Sequence, residues 1–159
     1  TGRYKVGGNY AASLLSGQRA HEEGYSNCIY LDAKEKKYID EAGAANFFGI
    51  KNNTYRTPKS TSILPSITNM SLRQLAKDMG MKVEERQIPV EELSTFDEIA
   101  ACGTAAVVSP ICQVEDRGTG KVYKYSQEPG PVCTKLYHTL KGIQDGSVPD
   151  THNWNLVIE

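Results

Sequence analysis

The chain has 159 residues, 18 of them basic and 19 acidic, for a formal net charge of −1. That is enough for one domain, able to bury roughly 70% of the surface its unfolded form exposes. Neither half carries the one-signed charge of a nucleic-acid or membrane-surface binder, so the partners expected are small molecules or other protein chains. No apolar run approaches the roughly 20 residues of a membrane span, and no basic-then-apolar leader opens the chain. Cys28, Cys102, Cys112 and Cys133 are scattered without CxxC or metal-ligand spacing, which reads as reduced thiols in a cytosolic protein. The first residue is Thr1 rather than Met, as a fragment would have.

After Lys5 and a break at Gly7-Gly8, "NYAASLLSGQRAHEEG" predicts a helix with Asn9 as its N-cap and Gly24 as its stop. "SNCIYLD" and "KYIDEAG" are short β-prone segments joined by the charged turn "AKEKK", and "NFFGIK" and "TYRTP" flank the turn-forming "NN". The polar loop "KSTSILPSITN" leads into a helix in which Leu72, Leu75, Ala76 and Met79 recur at helical spacing. Thr68 is its expected N-cap and Gly80 its stop. "MKVEERQIP" alternates like a strand and "VEELSTFDEIA" reads as a short helix. Two β segments follow, interrupted at Gly103-Thr104, and "RGTG" turns the chain into "KVYKYS" as a hairpin. The last helix starts at "GPVCTK" with Pro131 in its first turn. Val132, Leu136, Leu140 and Ile143 form its apolar face and Gly146 its end.

Read singly, the chemistry-bearing residues are ambiguous. Lys5 beside Gly7-Gly8 fits either a Schiff-base amine, with glycines admitting a cofactor to the backbone, or a solvated surface charge. Glu41 fits either the partner of a buried cation or an exposed acid at a strand end. At "LPSITN", backbone N–H groups around Ile67 and Thr68 and the helix dipole favour an anion such as phosphate, against an ordinary capped helix. "CGTAA" offers a second Gly-Thr turn to the same anion, against a plain β-bulge. "RGTGK" lacks the full phosphate-loop spacing and a following helix, and "NNT" and "NMS" are chance sequons in a chain without secretory signals. His21, His138 and His152 have no metal-ligand spacing, so no metal is expected.

Taken in order, "YKVGGNYAASLL", "IDEAGAANFF", "ILPSITNMSL" and "CGTAAVVSP" resemble the branched-chain amino acid aminotransferases, fold-type IV pyridoxal-phosphate enzymes. The resemblance extends to "GPVCTKLYHTLKGIQDG", which is similar to the family's last helix. It implies an α+β fold, a pseudo-barrel of mixed β-sheets with surrounding helices. Residues 1–159 would form the single cofactor-carrying C-terminal domain, without the α/β N-terminal domain that precedes the lysine in the family.

The same resemblance implies roles. Lys5 matches the lysine that holds pyridoxal 5'-phosphate covalently and moves the proton at the substrate Cα. Tyr10 matches the tyrosine that hydrogen-bonds the cofactor's phenolate oxygen, and Glu41 the acid that keeps the pyridine nitrogen protonated. Ile67 and Thr68 match the pair whose N–H groups hold the phosphate, with Thr104 as a further phosphate ligand. Leu64 would pack on the ring face, and Thr104 and Ala105 would receive the substrate α-carboxylate. Ser66 and Asn69 stand where many members have Gly and Arg. Ala106 and Ser109 replace a redox CxxC of mammalian members, which implies no thiol switch there.

The implied reaction is transamination of Leu, Ile or Val with 2-oxoglutarate in a homodimer, with weak cofactor binding and little turnover for residues 1–159 alone. Within the fold the alternatives are a D-amino acid aminotransferase and the lyase acting on aminodeoxychorismate. Outside it stands a non-catalytic protein-binding domain, which would have lost the lysine, the acid or the phosphate turn.

Overall fold

Phe47 and Phe48 are adjacent in one strand, so their side chains point to opposite faces, and neither is exposed at all. The central sheet is therefore covered on both sides. The computed structural model describes residues 4–158. Its elements are α1 (Gly7–Ala11), α2 (Leu14–Glu22), β1 (Ile29–Leu31), β2 (Ile39–Ala42), β3 (Ala45–Lys51) and β4 (Thr54–Pro58). There follow α3 (Ile67–Asp78), β5 (Lys82–Arg86), a 3-10 helix (Val90–Thr95), β6 (Glu98–Gly103), β7 (Val107–Pro110), β8 (Gln113–Asp116), β9 (Lys121–Lys124) and α4 (Pro131–Asp145).

β3 organises the seven-stranded sheet. One of its edges is lined by antiparallel β6 from Asn46 to Ile50; the other is shared, with β2 pairing at Ala45–Asn46 and β4 at Gly49–Lys51. Two strands on one edge force the sheet to fork, which starts its curvature. β4 and β5 are parallel, so the sheet is mixed, and β8–β9 form a separate hairpin. Helices α3 and α4 bury Leu72, Leu75, Leu136, Leu140 and Ile143 against Phe48, Ile50 and Tyr55 on one face. On the other face Ile39, Phe47, Ile88, Leu93 and Ile99 make a second core. The architecture is α+β, as expected.

Local departures have local causes. Asn9 is not an N-cap: it lies inside α1, whose N-cap is Val6, and its amide donates to the Tyr4 carbonyl at 2.7 Å. Gly7 and Gly8 are helical rather than a break, and the expected single helix divides at Ala12–Ser13, where Ser13 Oγ donates back to the Tyr10 carbonyl at 2.7 Å. Thr68 is not the cap of α3 either. Ser66 takes that place, its hydroxyl accepting from Asn69 N at 3.2 Å, and Thr68 is inside the first turn. Of "VEELSTFDEIA", only Val90–Thr95 is helical, as 3-10, and "EIA" opens β6, because Ile99, Ala100 and Ala101 fill buried positions beside β3. Asn52 and Asn53 both take positive φ (47° and 54°), the two-residue hairpin turn expected between β3 and β4.

Candidate active site

One row of paired residues crosses four strands: Glu41 on β2 faces Asn46 on β3, Asn46 faces Cys102 on β6, and Cys102 faces Val108 on β7. Glu41 is in this row, Leu64 is hydrogen-bonded to two of its members, and Thr104 and Ala105 follow the end of β6. Glu41 is half-buried in the wall of a cavity of about 270 Å³, whose lining includes Tyr4, Tyr10, Tyr30, Asp40 and Leu64. That volume is at the small end of ligand sites. Glu41 Oε1 accepts the Leu64 N–H at 3.1 Å, while Asn46 Nδ2 donates to the Leu64 carbonyl at 3.0 Å, so Leu64 is held from both sides.

The electrostatics of Glu41 are those of an acid awaiting a cation. Burial pushes its carboxyl up, the Leu64 N–H pulls it down, Asp40 raises it and Lys5 lowers it. The Lys5 ammonium is 5.7 Å from the centroid of the Tyr10 ring, and Lys5 is exposed. Asp40 is also raised, chiefly by burial, so the cavity floor carries two acids that burial holds toward the neutral form.

The structure thus brings Tyr10, Glu41 and Leu64 together in the lining, with Lys5 next to Tyr10 but outside the lining itself. Ile67, Thr68, Thr104 and Ala105 do not line this cavity. Ile67 and Thr68 open α3 three residues beyond Leu64, and among the described residues their N–H groups have no hydrogen-bond partner. Thr68 is only 8% exposed, and among the described residues its hydroxyl makes no hydrogen bond and keeps contact with solvent. Two free N–H groups and a solvent-touching hydroxyl at a helix N-terminus suit an anion.

Thr104 and Ala105 occupy the exposed turn between β6 and β7. This turn closes through the Val108 N–H to the Ala106 carbonyl at 2.7 Å, with buried Val107 at φ 60°. A β-branched residue in the left-handed region costs about 1–3 kcal/mol and persists where the surroundings over-determine it. Here Val107 is packed in the core below the turn and paired with Gly103.

Sequence reading assigns no role to Asn46 or Val107, and marks Asn69 only as a departure from the Arg of many family members. A polar residue next to "FF" in a β-prone run is the available signal for Asn46; nothing local marks Val107. The "RGTGK" turn is a hairpin tip, its first N–H groups taken by Asp116, with Arg117 paired to Glu23 at 2.6 Å. Among the described residues no group of three His, Cys, Asp or Glu could hold a metal, and no helix is long and apolar enough to cross a membrane. All four cysteines are free, and burial pushes the Cys102 thiol up to about 12.

A forked mixed sheet thus carries a tyrosine-acid cavity with an exposed lysine beside it. The model of the family amino-transferase class IV matches residues 1–114, and the chain belongs to that family. It is 46% identical over its whole length to the branched-chain-amino-acid aminotransferase of Haemophilus influenzae, covering 48% of that relative. To the enzyme of the same name from Helicobacter pylori it is 48% identical, covering 97% of this chain and 45% of that one. Among solved structures, the Escherichia coli branched-chain amino acid aminotransferase superposes with a TM-score of 0.84 at 34% identity, over 97% of this chain and 50% of that one. The T.th. branched-chain amino acid aminotransferase with pyridoxamine 5'-phosphate gives 0.82 at 30%, over 96% and 48%. The chain spans about half the length of the relatives it matches.

Proposed function

We propose that residues 1–159 are the cofactor-carrying half of a pyridoxal-phosphate-dependent transaminase that moves the amino group of a branched-chain L-amino acid to 2-oxoglutarate. The observation that carries this reading is Glu41, a half-buried carboxylate with a single hydrogen bond among the described residues, facing a small cavity beside Lys5. The residues present fit the cofactor: an acid raised by burial suits a protonated pyridine nitrogen, and the free N–H groups and hydroxyl opening α3 suit a phosphate. When bound, the cofactor supplies an electron sink for the charge left at the substrate Cα on loss of its proton.

The chain's own residues do the rest. Lys5 would hold the cofactor through its amine and, once the substrate's amino group has displaced that amine, would accept and return the Cα proton. Exposure of Lys5 in this half leaves that amine open to reactants. Glu41 holds the ring nitrogen by charge, and Leu64 is fixed by Glu41 and Asn46 to cover one ring face. Tyr10 orients the ring oxygen with its hydroxyl. Ile67, Thr68 and Thr104 bind phosphate, and the Thr104-Ala105 amides receive the substrate carboxylate. The relatives' names and the T.th. structure with pyridoxamine 5'-phosphate support both substrate class and cofactor. The remaining half of the relatives' length is the expected source of a side-chain pocket and a dimer contact.

The test is to mix the protein with pyridoxal phosphate, reduce with borohydride and map the adduct. Labelling is expected at Lys5; adducts spread over other lysines with Lys5 unmodified would count against the site. Residues 1–159 alone are expected to transaminate L-leucine well below about 1 s⁻¹, the low end of ordinary enzyme turnover. At its full natural length the protein should prefer L-leucine to D-alanine and aminodeoxychorismate.

A further inference from the structure

Asn69 follows Thr68 in the first turn of α3 and is 8% exposed. A buried primary amide needs partners at both ends, and Asn69 has them. The Tyr55 hydroxyl donates to its Oδ1 at 2.8 Å, and its Nδ2 donates to Thr57 Oγ1 at 3.1 Å. The far end of this chain sets every proton. The Phe47 carbonyl can only accept, so the Thr57 hydroxyl donates to it at 2.8 Å; the Thr57 oxygen must then accept, which assigns the Asn69 NH₂ to that side and its oxygen to Tyr55. Tyr55 is fully buried and stacked on Phe48 with centroids 4.6 Å apart. The amide is thereby fastened to β3 and β4, and the Asn69 N–H is fastened to Ser66 Oγ.

The apolar side chains of this turn are not its anchor, since Ile67 is 74% exposed and Met70 41%, and apolar packing of α3 begins one turn later at Leu72. The other end of the loop has separate anchors, Glu41 and Asn46 on Leu64. We infer that Asn69 is a positioning residue for the cofactor phosphate. Through Tyr55 and Thr57 it sets the rotation of the first turn of α3 against the sheet, so that the Ile67 and Thr68 N–H groups and the Thr68 hydroxyl converge on one anion. This rests on the pyridoxal-phosphate reading above. Because the ring end of the loop is tied down independently, Asn69 acts on the phosphate and not on the ring.

The experiment compares binding of pyridoxal phosphate and of pyridoxal, which lacks the phosphate, by the protein at its full natural length. The variants are Asn69→Leu, which removes both Asn69 side-chain bonds, and Thr57→Val, which at nearly constant shape removes one of these together with the Thr57 bond to the Phe47 carbonyl. Wild type should prefer the phosphorylated ligand. Asn69→Leu should lose about tenfold or more of that preference with pyridoxal affinity unchanged, the size expected when donors to a charged acceptor are misaligned. Thr57→Val should lose a smaller part of it, and this variant carries the comparison if Asn69→Leu does not fold. A wild-type preference in both variants, or equal weakening of both ligands, would overturn the inference alone. A wild type indifferent to the phosphate would overturn the phosphate reading and this inference with it.

Discussion

Helix α4 begins at Gly130-Pro131, and its first-turn N–H groups are capped from 34 and 35 residues away. Glu98 Oε1 accepts from Val132 N at 3.0 Å and Oε2 from Cys133 N at 2.8 Å. Each is a hydrogen bond to a charged acceptor at the positive end of a helix. One such bond contributes about 1.5–3 kcal/mol, and water can replace part of the pair on Glu98→Ala, so the expected loss is about 3 kcal/mol. For a domain near 150 residues that is a fall in Tm of roughly 6–12 °C. Glu98→Gln should be nearly as damaging, because its NH₂ faces one of the two N–H groups, donor against donor. Gly130 provides an independent route to the same cap. Its backbone (φ −67°, ψ 160°) suits any residue, but an added Cβ would overlap the Glu98 carboxylate. Gly130→Ala should therefore destabilise by displacing Glu98, and the double variant should lose clearly less than the sum. Thermal and urea unfolding of wild type and the four variants measure this. A Glu98→Ala midpoint within about 2 °C of wild type, or strict additivity with Gly130→Ala, would refute the cap; a shift of 2 °C is worth less than one such bond.

Two further outcomes follow from the acids. Burial raises Glu41, so the folded chain holds that proton more tightly than the unfolded chain; the associated stability is present in acid and lost as pH rises through the folded pKa. In urea unfolding without cofactor, Glu41→Gln should thus be the more stable protein at neutral pH, with the gap closing in acid, while its pyridoxal phosphate binding is lost; a gap independent of pH would contradict the burial argument. Asp32 behaves oppositely. Its carboxylate accepts the Tyr38, Glu35 and Lys37 N–H groups and is lowered to about 2, so its contribution is present above pH ~4 and lost as pH falls toward 2. Asp32→Asn should flatten unfolding free energy across that window, and an unchanged acid slope would count against it.

Strand and helix identity was legible wherever a period was strong. "NFFGIK-NN-TYRTP" reads as a hairpin and folds as one, and Leu72, Leu75, Leu136, Leu140 and Ile143 are core as their spacing predicts. Caps were less legible. Asn9 and Thr68 are good cap types in the wrong register, because a cap is decided by which hydroxyl reaches a free N–H in the folded turn, and at α3 that is Ser66. The short helix expected over "VEELSTFDEIA" failed at Glu98–Ala100 because pairing with β3 outweighs local propensity.

The candidate chemistry-bearing residues come from motif order, which local propensity could not weigh. The sequence by itself determined the residue types at the candidate site: an amine at Lys5, an acid at Glu41, and hydroxyl-bearing segments at Thr68 and Thr104. Only the tertiary structure decided what holds them. The Glu41–Asn46–Cys102–Val108 row, the Asn69 lock on Tyr55 and Thr57, and the Glu98 cap of α4 each join side chains and backbone from different elements. Their physical cause is the same: a polar group taken out of water must find its partner wherever the fold brings one, and that partner is rarely a neighbour in the chain.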